Sequence, residues 1–245
     1  MLKLLSIYDY ILPYPLGFGK SLCKIRRKIM NKQFVIDEIK KSKLIVIARG
    51  LTKQELLDTA QAMYEGGVKF IEVTFSAKNN PTAEETADMI KALCEKYEGK
   101  MFIGAGTVLT KKQAKLAIDA GAQYIISPNV DKKVIRYTNK RGAVSIPGAF
   151  TPTESVTAHN WGADFIKIFP GGAVKSSYVK DLKAPLSHID FLAVGGVTVD
   201  NVGEFFKNGA SGIGVGSGII DVKAVKAGDW EKVTSLAKAF TSQIN

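Results

Sequence analysis

Lys167 stands in an apolar run, Phe165-Ile166-Lys167-Ile168-Phe169, and Glu72 stands in another, Phe70-Ile71-Glu72-Val73-Thr74. Charged side chains are rare in such runs, because removing water from an ammonium or a carboxylate is costly. If both runs are strands, successive side chains alternate between faces. Phe165, Lys167 and Phe169 then share one face and Ile166 and Ile168 the other, while Phe70, Glu72 and Thr74 lie opposite Ile71 and Val73. The branched faces suit packing against helices, which sends the lysine and the glutamate into one interior. One reading is a structural ion pair joining two strands. The other is chemistry. Burial disfavours the ammonium and lowers a lysine pKa, a neutral amine attacks a ketone to form a Schiff base, and a nearby carboxyl moves the protons. The iminium is its own electron sink, so this chemistry requires no metal and no cofactor.

The remaining chemistry-bearing residues offer little competition. The two histidines, His159 and His188, have no further metal-ligand type at close spacing, and Cys23 and Cys94 form neither a disulfide framework nor a C-x-x-C pattern. No G-x-S-x-G nucleophile turn is present. Helix termination and packing account for His159 and Trp161, a loop position for His188, and inert packing on an amphipathic helix for Cys94. Two cysteines without a framework fit a reducing cytosol.

The formal charge of +11 raises nucleic acid, anionic membranes and anionic small substrates as partners. Nearly half of that excess falls on the first thirty residues, where Lys3, Lys20, Lys24, Arg26, Arg27 and Lys28 face a single acid, Asp9. No basic stripe interleaved with aromatics follows, which argues against nucleic acid. Residues 1–30 lack the uninterrupted apolar core and cleavage site of a signal peptide. No run approaches the ~18–20 apolar residues that span a bilayer, so no stable membrane insertion is expected. Between a membrane-surface segment and a misassigned start or unstructured tail, the second is favoured, Met30 directly preceding the regular pattern.

The elements that must position the lysine and glutamate follow from residue 31 onward. Apolar strand-like runs at 43–49, 68–75, 101–105, 123–127, 143–147, 164–169, 190–194 and 211–215 alternate with helical patterns at 53–65, 82–97, 111–120, 131–140, 152–160, 175–184, 198–207 and 229–242. Glycine punctuates the helix-to-strand junctions, as in EGGVKF, DAGAQY, KRGAVS, NWGADF and KNGASG, where it tolerates the left-handed conformation that ends helices. Eight β-α units in about 215 residues predict a single (β/α)8 TIM barrel over 31–245 with an N-terminal extension, function sitting at the strand C-termini. An open doubly wound sheet is second, since ARGLTK after the first strand lacks the dinucleotide-binding glycine pattern. The glycines after the seventh and eighth strands, Gly195-Gly196 and Gly216-Ser217, fall where such barrels hold phosphate on backbone N–H groups. The competing reading is tight turning into the next helix.

The segments GGVKFIEVTF, IGAGTVLT, AGAQYIISPN, IPGAFTPTE, IKIFPGG, VGGVTVDN and GVGSGI, in this order over about 34–243, resemble the bacterial 2-keto-3-deoxy-6-phosphogluconate (KDPG) aldolase and 4-hydroxy-2-oxoglutarate (KHG) aldolase family. The resemblance implies a class I aldolase that splits 2-keto-3-deoxy-6-phosphogluconate, a 2-keto-3-deoxy sugar acid phosphate, into pyruvate and D-glyceraldehyde 3-phosphate, with the galactonate epimer as the alternative substrate. It implies Lys167 as the Schiff-base lysine, Glu72 as general acid and base, Thr107, Pro147 and Phe169 around the pyruvate portion, and Gly195, Gly196, Gly216 and Ser217 at the phosphate. A homotrimer is implied as well.

Two positions depart from the family pattern. Many members carry arginine shortly after Glu-Val-Thr to bind the pyruvate carboxylate, and here that place holds Ser76. Arg49 at the end of the first strand is the expected substitute, with Lys78 the lesser candidate. Gluconate-type members commonly read Pro-Thr-Gly-Gly where this chain reads Ala-Val-Gly-Gly, similar to the branch acting on the galactonate epimer (KDPGal). Val194 in place of a hydroxyl is expected to alter discrimination at C4. The competing functions are activity on 4-hydroxy-2-oxoglutarate, another Schiff-base lyase or isomerase on a phosphosugar, and a non-catalytic phosphosugar-binding barrel.

Overall fold

The computed structural model describes residues 32–244, and the expected extension over 1–30 lies outside them. The chain runs α1 (Lys32–Ser42), β1 (Leu44–Ala48), α2 (Lys53–Glu65), β2 (Phe70–Thr74), α3 (Ala83–Lys96), β3 (Phe102–Gly106), α4 (Lys111–Asp119), β4 (Tyr124–Ile126), α5 (Lys132–Lys140), β5 (Val144–Ile146) and β6 (Gly148–Ala149). It continues through α6 (Pro152–Asn160), β7 (Ile166–Ile168), a 3-10 turn (Gly171–Ala173), α7 (Ser177–Lys183), β8 (Phe191–Val194), α8 (Val202–Lys207), β9 (Gly212–Val215), α9 (Val222–Ala227) and α10 (Trp230–Ile244).

The strands are parallel in the order β5-β4-β3-β2-β1-β9-β8-β7-β6. The two ends of that order are consecutive pieces of one stretch, broken at Pro147, which has no N–H to give to a ladder. Around the break the pairing continues on both sides: the Ser127 N–H donates to the Ile146 carbonyl at 3.2 Å and the Lys167 N–H to the Pro147 carbonyl at 2.9 Å. The sheet therefore closes on itself, and the expected eight-stranded barrel appears with its fifth strand in two parts. Gly148 is required beside the break, since a Cβ there would stand 2.5 Å from the Pro128 carbonyl oxygen.

Local chemistry explains where the helices start. Thr52, Thr82, Thr110 and Thr151 each accept from the backbone three residues on, and Glu55, Glu85, Gln113 and Glu154 reach back to the capping N–H. Each such cap is worth about 1 kcal/mol. Two expected helices are shorter than their patterns. The stretch after β8 begins instead with an Asn201 turn, in which Oδ1 accepts from the Thr198 N–H at 2.8 Å and Nδ2 donates to the Gly196 carbonyl at 2.9 Å. The stretch after β7 first makes its 3-10 turn over three glycine-rich residues.

Two helices were not expected from the sequence. α9 is capped by Asp221 and stopped by Gly228 at φ 71°. α1 sends Val35 and Ile39 into a cluster with Ile45, Phe70, Tyr124, Phe165 and Leu192 from the inner strand faces. Lys32 bonds Asp164 at 2.8 Å and Lys40 bonds Asp190 at 2.6 Å, both partners just before β7 and β8. The helix thus fills the end of the barrel where the strands begin. The outward strand faces, among them Ile71, Val73, Ile166 and Ile168, belong to a separate and larger core with the surrounding helices.

Candidate active site

Strand alternation places the two charged residues as their spacing predicts. Phe70 and Phe165 lie in the inner cluster and Ile71 and Ile166 in the outer one, so Glu72 and Lys167 project into the barrel. Both line one small interior cavity with Ile45, Ile47, Ile126, Ile146, Leu192, Val194 and Gly214. Glu72 is 1% exposed and Lys167 6%. These walls offer little polar compensation, so both groups shift toward neutrality. Burial pushes the Glu72 carboxyl up to about 6, against the attraction of Lys167 and Arg49. Burial pushes the Lys167 amine below its ordinary value, Glu72 opposing and Arg49 reinforcing that shift. Oε2 of Glu72 has no hydrogen-bond partner among the described residues.

Glycine makes the room for this arrangement. A Cβ at Gly106 would lie 2.4 Å from Oε1 of Glu72, and one at Gly214 would lie 2.8 Å from Cγ2 of Val194. Glycine inside a strand marks such close approaches. The motif IGAGT does not by itself mark Gly104 and Gly106 as spacers, nor does GVGSGI mark Gly214; two glycines two residues apart, on one face of β3, are the available signal.

At the strand C-termini the other expected residues separate into groups. Lys167 Nζ sits over the Phe169 ring, 4.5 Å from its centroid, and Phe169 is 37% exposed at the mouth. Arg49 is exposed and donates from Nη2 to Oγ1 of Thr107 at 2.9 Å. Thr107 holds φ 55°, in the left-handed region. The Arg49 charge reaches both Glu72 and Lys167. Pro147 is buried at the break between β5 and β6. Ser76 is half-buried and its Oγ accepts from the Lys78 N–H at 3.2 Å, while Lys78 is exposed.

The glycine loops after β7 and β8 pack backbone against backbone. Gly195 and Gly196 hold φ 97° and 71°. A Cβ at Gly196 would stand 2.7 Å from Cα of Gly172, and one at Gly171 would stand 2.7 Å from the Val194 carbonyl oxygen. Gly171 and Gly172 were not singled out from the sequence. After β9, the Gly216 carbonyl accepts from the Ile219 and Ile220 N–H groups at 3.0 and 2.9 Å, leaving Ser217 exposed.

Away from this mouth, His159 and His188 meet edge to face at 5.1 Å, and Cys94 packs against the outer core. Among the described residues no group of three or more His, Cys, Asp or Glu is placed to hold a metal, and no helix is long and apolar enough to cross a membrane.

Residues 35–236 match the family model described as KDPG and KHG aldolase. The chain is 39% identical over 175 residues to the 2-dehydro-3-deoxy-6-phosphogalactonate aldolase of Escherichia coli K12, covering 71% of this chain and 82% of that protein. A solved native KDPGal structure is 37% identical with a TM-score of 0.73, over 82% of this chain and 93% of that one. A KDPG aldolase from Legionella pneumophila, solved with pyruvate captured as a covalent carbinolamine intermediate, is 25% identical with a TM-score of 0.73, over 81% and 94% of the two chains.

Proposed function

The chain belongs to the KDPG and KHG aldolase family of carbon–carbon lyases, and from that premise we propose that it is a class I aldolase cleaving a 2-keto-3-deoxy-6-phospho sugar acid through a Schiff base on Lys167. The observation that carries this reading is the burial of Lys167 and Glu72 in one cavity, each shifted toward its neutral form. The neutral amine adds to the C2 ketone, and loss of water from the carbinolamine gives the iminium. Glu72, with its midpoint near 6, takes and returns protons close to neutral pH, where a general acid–base group is most effective. Removal of the C4 hydroxyl proton breaks the C3–C4 bond. Its electrons enter the iminium as an enamine, and the three-carbon aldehyde phosphate leaves. Protonation at C3 and hydrolysis then release pyruvate and the free amine.

Around that centre, Thr107, Pro147 and Phe169 line the pyruvate portion and Arg49 pairs with its carboxylate in place of the arginine that Ser76 replaces. Gly195, Gly196, Gly216 and Ser217 receive the phosphate. The galactonate epimer is put ahead of the gluconate epimer because Val194 gives the cavity an apolar wall where a hydroxyl would discriminate at C4, and because the relative at 39% identity is named for that epimer. The gluconate substrate is the second reading, supported by the Legionella structure's name. Kinetics with both epimers, before and after Val194→Thr, test this; a strong gluconate preference that the substitution leaves alone overturns it. A homotrimer and a cytosolic location complete the proposal, and light scattering tests the first.

Borohydride reduction with pyruvate followed by peptide mass mapping tests the mechanism. The expected result is a reduced pyruvyl adduct on Lys167, lost in Lys167→Ala. A folded protein that forms no adduct overturns the Schiff base and leaves a phosphosugar-binding barrel.

A further inference from the structure

Inside the barrel, two side-chain atoms are buried without hydrogen-bond partners among the described residues: Oε2 of Glu72 and the hydroxyl of Tyr124. Buried polar groups are seldom left unpaired, and each exception asks for an explanation. The register puts the two residues in one layer, Glu72 beside Gly104 and Gly104 beside Tyr124. Gly104 has no side chain, and the Tyr124 ring occupies its place: a Cβ there would stand 2.2 Å from Cε2 and 2.4 Å from Cζ. The ring thus lies over β3, and it meets Phe70 of β2 at 5.8 Å between centroids. The Glu72 carboxylate crosses onto the same strand from β2, over Gly106. Phenol and carboxylate converge on a stripe of β3 that carries no side chains.

We propose that Tyr124 is a positioning residue for Glu72, its hydroxyl donating to one buried water that in turn donates to the carboxylate and holds it over β3. This rests on the aldolase reading only for its effect on turnover. The bond exists while Glu72 is ionised, so it favours the carboxylate over the carboxyl. The other charges acting on Glu72 are Lys167 from β7 and Arg49 from the end of β1, and both stay in place when the hydroxyl is removed; the Cys94 thiol of α3 acts on Tyr124 itself.

Tyr124→Phe deletes the hydroxyl and keeps the ring over Gly104. Carbon-13 carboxyl NMR, with the Glu72 resonance assigned through Glu72→Gln, reads the Glu72 midpoint in both proteins. The expected result is a rise of about one unit in Tyr124→Phe, the size of one charge-assisted hydrogen bond, with the acid limb of kcat moving by the same amount and KM unchanged. A midpoint that stays in place shows that Tyr124 only packs, and overturns the inference. If pyruvate forms no adduct with the unsubstituted protein, the aldolase reading fails, and the NMR titration still decides this one.

Discussion

The Glu72 carboxylate occupies the space that a side chain at Gly106 would need: a Cβ there would stand 2.4 Å from Oε1 and 2.6 Å from the carboxyl carbon. The general acid–base group of the proposed mechanism is held by β2 but accommodated by β3.

Gly106→Ala therefore displaces the carboxylate or spreads the two strands. A catalytic group moved by about 1 Å loses on the order of 100-fold in rate, and overpacking a buried site costs about 1–3 kcal/mol. The expected outcome is a fall in kcat of that order with a lower urea midpoint. Unaltered turnover would mean that Glu72 does not act from this position.

Glu72 also makes stability depend on pH with a definite sign. Its folded midpoint of about 6 lies above the ordinary 4.5, so the folded state binds the proton more tightly. Stability from this group is full below 4.5 and falls as pH rises through 6, by about 2 kcal/mol. Glutamine cannot ionise. The stability of Glu72→Gln relative to the unsubstituted protein should therefore improve by about 2 kcal/mol between pH 4 and pH 7.5, measured by urea denaturation at both. A constant difference contradicts the buried-carboxyl account.

Arg49→Ala separates binding from folding. Arg49 is exposed, so stability should change by no more than about 0.5 kcal/mol. Losing a hydrogen-bonded charge costs about 1.5–3 kcal/mol, so KM for pyruvate in the condensation direction should rise roughly 10- to 100-fold. Lys78→Ala is the control. If it has the larger effect, the carboxylate partner is Lys78.

Gly196→Ala probes the other end of the substrate. The residue holds φ 71°, and its Cβ would meet Cα of Gly172 at 2.7 Å, a backbone contact that no rotamer relieves. Left-handed backbone at a non-glycine residue costs about 1–3 kcal/mol. The expected outcome is a raised KM for the phosphorylated substrate with pyruvate adduct formation on Lys167 preserved. Equal loss of both would place Gly196 in the fold alone.

Much of the barrel was legible because its signals are local. Alternation in FIKIF and FIEVT turned Lys167 and Glu72 inward, and glycine junctions marked where helices give way to strands. α1 was missed because Val35 and Ile39 look unremarkable until the open end of a barrel exists for them to fill. The helix expected over 198–207 starts late because Asn201 bonds back to Gly196 and Thr198, a local side-chain turn that competes with the helix and that propensity does not register.

The sequence by itself determined which residues face inward and which family chemistry they resemble, since a period of two and a set of ordered motifs need no knowledge of neighbours. Only the tertiary structure decided what stands beside what. Closure at Pro147 brings β7 and β2 around one cavity, and parallel register sets Glu72, Gly104 and Tyr124 in a row. The empty places at Gly104 and Gly106 acquire meaning only from the ring and the carboxylate that fill them. Such contacts join residues distant in the chain, and no local pattern encodes the hydrogen-bond register between strands that creates them.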